Sequence, residues 1–103
     1  MAPRDALQSL RNEFAAAAAQ AAVDRYSREA QHLSDEQVRV RCEQVTVNHR
    51  RMSRELAENY GQGLSRVPTH WQLALSDLQA HKEAFEKEHF VRSGRTQMAF
   101  AFA

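Results

Sequence analysis

The chain has 103 residues, enough for one domain with a core of its own but not for two. A formal net charge of +1 excludes both an acidic mimic and a strongly basic nucleic-acid coat. A single cysteine, Cys42, excludes an intrachain disulfide and fits a reducing compartment.

Alanine supplies much of the apolar content, isoleucine is absent, and two of the eight aromatic residues sit in the last four positions. Phe14, Tyr26, Tyr60, Trp71, Phe85 and Phe90 remain, with scattered Leu and Val, to close a core. Such a core is thin, so a homodimer or a bound partner is expected. No signal peptide is visible, and no apolar stretch reaches the roughly 18 residues of a membrane span. A soluble, cytoplasmic protein without membrane contact is expected.

The first helix is expected over 3–33. Pro3 suits a first helical turn, where its missing N–H is not needed, and Asp5 favours the positive end of the helix dipole. Leu7, Leu10, Phe14, Ala18, Ala21 and Ala22 recur at helical spacing, continuing to Tyr26, Ala30 and Leu33. The run Ala15 to Ala19 is the best helix former available, and its small side chains predict a face close-packed on a neighbouring helix.

Ser34-Asp35-Glu36-Gln37 reads as a capping box that opens a second helix over 35–60. Val38, Cys42, Val45, His49, Met52, Leu56 and Asn59 then form a coiled-coil-like seam. Val38-Arg39-Val40-Arg41-Cys42 and Val45-Thr46-Val47 also alternate as strands do. No hairpin turn lies between them, and helix is the reading kept.

Gly61-Gln62-Gly63 ends the second helix. Thr69-His70-Trp71-Gln72 reads as another capping box, opening a third helix over 69–93. Its face carries Trp71, Leu75, Leu78, Phe85 and His89, with Leu73, Ala74 and Ala84 beside it, and Gly94 is read as its stop. Short connections between three helices predict an all-α, antiparallel up-down-up bundle over residues 1–94. Residues 95–103 are expected to form a flexible C-terminal docking tail.

That tail alternates Met98, Phe100 and Phe102 with alanine, and leaving such side chains in water forgoes roughly 1.5–3 kcal/mol each. Gln97-Met98-Ala99-Phe100-Ala101-Phe102 resembles the peptide by which bacterial DNA polymerases and repair proteins dock on the sliding clamp. Those peptides carry glutamine, two further positions, a large apolar residue, a spacer, and then leucine or phenylalanine. Here Phe100 fills the apolar slot, where leucine is more usual, and Phe102 the last. The likeness covers six residues. It implies an extended peptide whose Phe100 and Phe102 enter an apolar pocket, while Met98 covers its rim and the Gln97 amide hydrogen-bonds there. Two other readings stay open: a tail folded onto the helices or paired as an edge strand, and a nonpolar degradation signal.

Other candidates are weighed against simpler explanations. Glu29-Ala30-Gln31-His32 and Glu86-Lys87-Glu88-His89 share the Glu-x-x-His spacing of di-iron bundles, near Glu36, Cys42 and Glu43. A three-helix chain lacks the fourth helix that completes such a set, and neither a metal nor another cofactor is expected. Arg39, Arg50, Arg51 and Arg54 offer a phosphate-contacting face, with Arg41 and Arg66 nearby. Glu43, Glu55 and Glu58 interleave with them, as on an ordinary solvated helix, so nucleic acid is only weakly supported. Cys42 and His49 read as core or boundary residues, and no activated nucleophile or phosphate loop is apparent.

Together these features predict a non-enzymatic adaptor or regulator of replication or repair that docks on the sliding clamp through its C-terminal peptide. The alternative is a small helical inhibitor or chaperone that binds protein through a bundle face, with the tail part of its own fold or dimer.

Overall fold

The computed structural model describes the backbone over residues 3–61 and 63–102, and side chains over 5–61, 63 and 65–95. It is an all-α three-helix bundle: α1 spans Pro3–Gln31, α2 Asp35–Tyr60 and α3 Thr69–Phe102. A single 3-10 turn, Leu64–Arg66, lies between α2 and α3. Among the described residues there is no strand, so the valine alternation in α2 reports side-chain type and not backbone form.

The α1–α2 turn is built as the sequence requires. The Gln37 N–H donates to the Ser34 hydroxyl at 3.1 Å, and the Ser34 N–H donates to the Gln37 side-chain oxygen at 2.9 Å. Two of the free donors at the start of α2 are thereby satisfied. At the other end Gly61 takes a φ of 83°, and its N–H donates to the Ala57 carbonyl at 2.9 Å. A side chain would be strained there, and glycine is not.

Helix α3 opens at Thr69 as expected, but not through a capping box there: the Pro68 carbonyl accepts from the Trp71 and Gln72 N–H groups. Thr69 is therefore the first helical residue and not the cap, and the Gln72 amide donates to the Val67 carbonyl. The third helix does not end at 93. Its backbone stays helical through Gly94 to Phe102, since an interior glycine costs only about 1 kcal/mol relative to alanine. Good helix formers follow it in Arg95, Gln97, Met98, Ala99 and Ala101.

Helix α3 is the shared spine. Helices α1 and α2 each pack along it, while contact between α1 and α2 is slight. Ala30, Val38, Val45 and Phe85 form the buried centre, flanked by Tyr26, Leu33, Cys42 and Leu78. Leu56 and Val67 are buried near the α2–α3 loop. Phe85 and Val38 are the largest side chains fully removed from water, so the core is as thin as the composition suggested.

The alanine run does not do what the sequence implied. Every described side chain from Asp5 to Ala21 is exposed. An open groove of about 300 Å³ separates Ala15, Ala18, Ala19 and Ala22 from Leu73 and Ser76 of α3. Methyl groups are too short to fill the space beside Leu73, so the face is near α3 without interlocking. Only the turns of α1 before Ala15 run past the start of α3. The molecule measures 61 × 34 × 21 Å, longer than the roughly 51 Å of α3 by itself.

Arg92, on α3, ties the bundle's other end. Its guanidinium donates to the Leu33 carbonyl at 2.7 Å, just past the end of α1, and to the Ala30 carbonyl at 2.9 Å, which also accepts from the Leu33 N–H at 3.1 Å. It also pairs with Asp35 in the first turn of α2 and with Glu88 on its own helix, each at 2.9 Å. Arg92→Met keeps the stem and removes these donors. We expect a loss of about 1–3 kcal/mol in chemical denaturation, the usual cost of unsatisfied polar groups. Phe85→Ala should cost more, about 3–5 kcal/mol.

Candidate functional site

Three regions carry the residues that the sequence singles out. The first is the outer face of α2. Val38, Val45 and Leu56 point it toward α3, which leaves Arg50, Arg51 and Arg54 exposed on the other side. Arg39 is held on its own helix, donating to Glu36 at 3.0 Å and to Glu43 at 2.8 Å. Arg51 reaches Asn48 at 3.4 Å. Among the described residues, Arg50 and Arg54 make no hydrogen bond or ion pair. The four arginines thus do not converge: one is neutralised locally, one is on an asparagine and two stand apart from any fixed partner. Arg41 turns to the α1 side, pairing with Glu29 at 3.1 Å and lying 5.5 Å from the Phe85 ring centre.

The second region holds the Glu-x-x-His pairs. Glu29 is taken by Arg41, and Glu86 pairs with Lys82 at 3.1 Å. Among the described residues no group of three or more His, Cys, Asp or Glu side chains is placed to hold a metal ion. Burial, with the Glu86 carboxylate second, pushes the Cys42 thiol above its ordinary range. It is a neutral thiol at physiological pH and correspondingly slow as a nucleophile. Burial also lowers the pKa of His49, with Lys82 acting in the same direction.

Sequence reasoning missed the cluster around His81. Its ring stacks on Tyr26 at 4.2 Å and meets Phe85 edge-on at 5.0 Å. The Tyr26 hydroxyl donates to Asp77 at 2.7 Å, and Arg25 reaches the same carboxylate at 3.4 Å. His81 Nε2 is buried without a hydrogen-bond partner among the described residues. The signal available was its place four residues before Phe85 and three after Leu78, on the core face of α3.

The third region is the C-terminal peptide. The structure carries the backbone of Gln97, Met98, Phe100 and Phe102 at the far end of α3, as helix. The side chains of residues 96–103 lie outside the described residues. Among those described, no helix is long and apolar enough to cross a membrane. No protein-family model matches the chain, and neither a curated protein nor a solved structure shows significant similarity to it.

The His81 cluster should make stability depend on pH. Burial is the main cause that lowers its pKa below the ordinary histidine value, and the Arg41 charge adds to it. The carboxylates of Glu29 and Asp77 oppose the shift. The unfolded chain therefore takes up its proton first as pH falls. Stability should be level above about pH 6.5 and decline below it, through the folded-state value. Urea melts at several pH values check this. His81→Phe, which keeps the ring stack, should flatten the decline, and an unchanged slope would assign the pH dependence to other groups.

Proposed function

We propose that this chain is a non-enzymatic protein-binding adaptor that docks on a bacterial sliding clamp through Gln97-Met98-Ala99-Phe100-Ala101-Phe102. The observation that carries the reading is the spacing of glutamine and two phenylalanines at Gln97, Phe100 and Phe102. In it, Phe100 and Phe102 fill apolar subsites, Met98 covers the rim, and Gln97 fixes register through its amide.

Such a peptide binds extended, so the last turns of α3 unwind on docking. Two features keep that cost small. The last turn of α3 has no basic residue to offset its negative dipole end. Gly94 weakens the helix just upstream by about 1 kcal/mol relative to alanine. The bundle then serves as a folded body, and the peptide as its contact with replication or repair machinery.

A second reading is favoured by the exposed aromatic and leucine side chains of α3. Leu73 is 66% exposed, Phe90 78% and Trp71 41%. In it, the chain is a small helical inhibitor or chaperone that grips a protein partner through a bundle face.

Purified sliding clamp and the double variant Phe100→Ala/Phe102→Ala separate the two. Docking through the peptide predicts more than about a hundredfold loss of clamp affinity, with thermal unfolding unchanged. Gly94→Ala has room for its methyl group, since nothing lies within 4 Å. It should raise helicity and weaken clamp binding a few-fold, because the helix must still unwind. Absence of clamp binding by the wild type, with a double variant that melts earlier, would favour the bundle-face reading.

A further inference from the structure

We propose that α1 is a hinged arm, pinned to the bundle at residues 30–33 and latched to it at Tyr26, and that protonation of His81 opens the latch. The proposal stands apart from the reading of the C-terminal peptide.

Coverage along α1 locates the two attachments. From Asp5 to Glu29 only Ala22, Val23, Tyr26 and Ser27 are even partly covered, and Ala30 is the first residue fully buried. The arm packs on α3, and its contact with α2 is slight. The pin lies at its end, where Arg92 donates to the Ala30 and Leu33 carbonyls. The latch lies about one turn earlier. There the Tyr26 ring stacks on His81 at 4.2 Å, and its hydroxyl donates to Asp77 at 2.7 Å. Arg25 adds a longer contact to the same carboxylate at 3.4 Å, exposed and therefore screened by water. Before Ala22 no described side chain is covered, so the arm has no third hold on the bundle.

The latch tolerates His81 only while it is neutral. A neutral imidazole can leave Nε2 as a bare lone pair, whereas the cation must carry an N–H there. That atom is buried without a hydrogen-bond partner among the described residues, between the Tyr26 ring and the edge-on Phe85 ring. The charged groups around it are Glu29 from α1, Arg41 from α2 and Asp77 from its own helix. Both carboxylates are engaged elsewhere, Glu29 by Arg41 at 3.1 Å and Asp77 by Tyr26 and Arg25. Burial first, and the Arg41 charge second, hold the imidazole's pKa below the ordinary histidine value. With the arm swung out, His81 meets water and takes up its proton at that ordinary value, so falling pH favours the open form. The pin does not respond in the same way, because a guanidinium and backbone carbonyls keep their protonation there. The α2–α3 contacts at Val45, Leu56 and Val67 do not involve the arm's latch.

Spin labels on Ala18→Cys and Ser76→Cys, which line the open groove from α1 and from α3, report the arm's distance from the bundle in a Cys42→Ala background. One short distance is expected at about pH 7.5, and a longer one should grow in reversibly towards about pH 5, with helical circular dichroism kept. In the unmodified chain, nuclear Overhauser contacts between the Tyr26 and His81 rings should fade over the same range. His81→Phe, which keeps the ring stack, should hold the short distance throughout. His49 is the other histidine whose pKa burial lowers, and His49→Gln should leave the opening in place. Ring contacts in the unmodified chain that persist at about pH 5 would overturn the proposal, whether or not the variants fold. So would an opening that survives His81→Phe, or one that appears only as α2 and α3 lose their helical signal.

Discussion

One arginine on α3 holds the ends of the other two helices. Arg92 donates to the Ala30 and Leu33 carbonyls where α1 ends and also pairs with Asp35, where α2 begins. A helix end in a partly buried place needs such partners, because each carbonyl left bare costs free energy comparable to a lost hydrogen bond. With the α1–α2 turn pinned in this way, Phe85 lies beneath it and meets Ala30, Val38 and Val45. The two helices can then share α3 while touching each other little. The arrangement is economical for a composition short of large apolar residues, since one spine serves two faces.

The same economy leaves much of the molecule uncovered. The core closes around a few residues near the α1–α2 turn and again at Leu56 and Val67. Beyond them, α1 continues as an arm with every described side chain from Asp5 to Ala21 in water. Long helices held over part of their length make a platform whose ends can meet other molecules.

Much of this fold was legible in the sequence. Ser34 and Gln37 announced the α1–α2 boundary through their spacing, and Gly61 announced the end of α2. The seam from Val38 to Leu56 named the inward face of α2. Three features were not legible. Gly94 looked like a stop, but a glycine terminates a helix only where the chain turns there, and here it does not. The alanine run looked like a packing face, but small side chains permit approach without compelling it. Arg92 looked like any surface arginine, since its role depends on carbonyls some sixty residues away. Of the candidate site, the identity and spacing of Gln97, Phe100 and Phe102 could be read directly. The lack of convergence among Arg39, Arg50, Arg51 and Arg54 could not, because it depends on which neighbouring carboxylates each one finds.

The central claim is that a stable bundle carries a docking element whose engagement is local to the end of α3. Amide hydrogen exchange, followed with and without purified sliding clamp, tests it most directly. The account predicts that exchange at residues 97–102 changes on adding clamp, while amides around Phe85, Val38 and Val45 keep their protection. No change at 97–102, or changes confined to the exposed faces of the bundle, would contradict it.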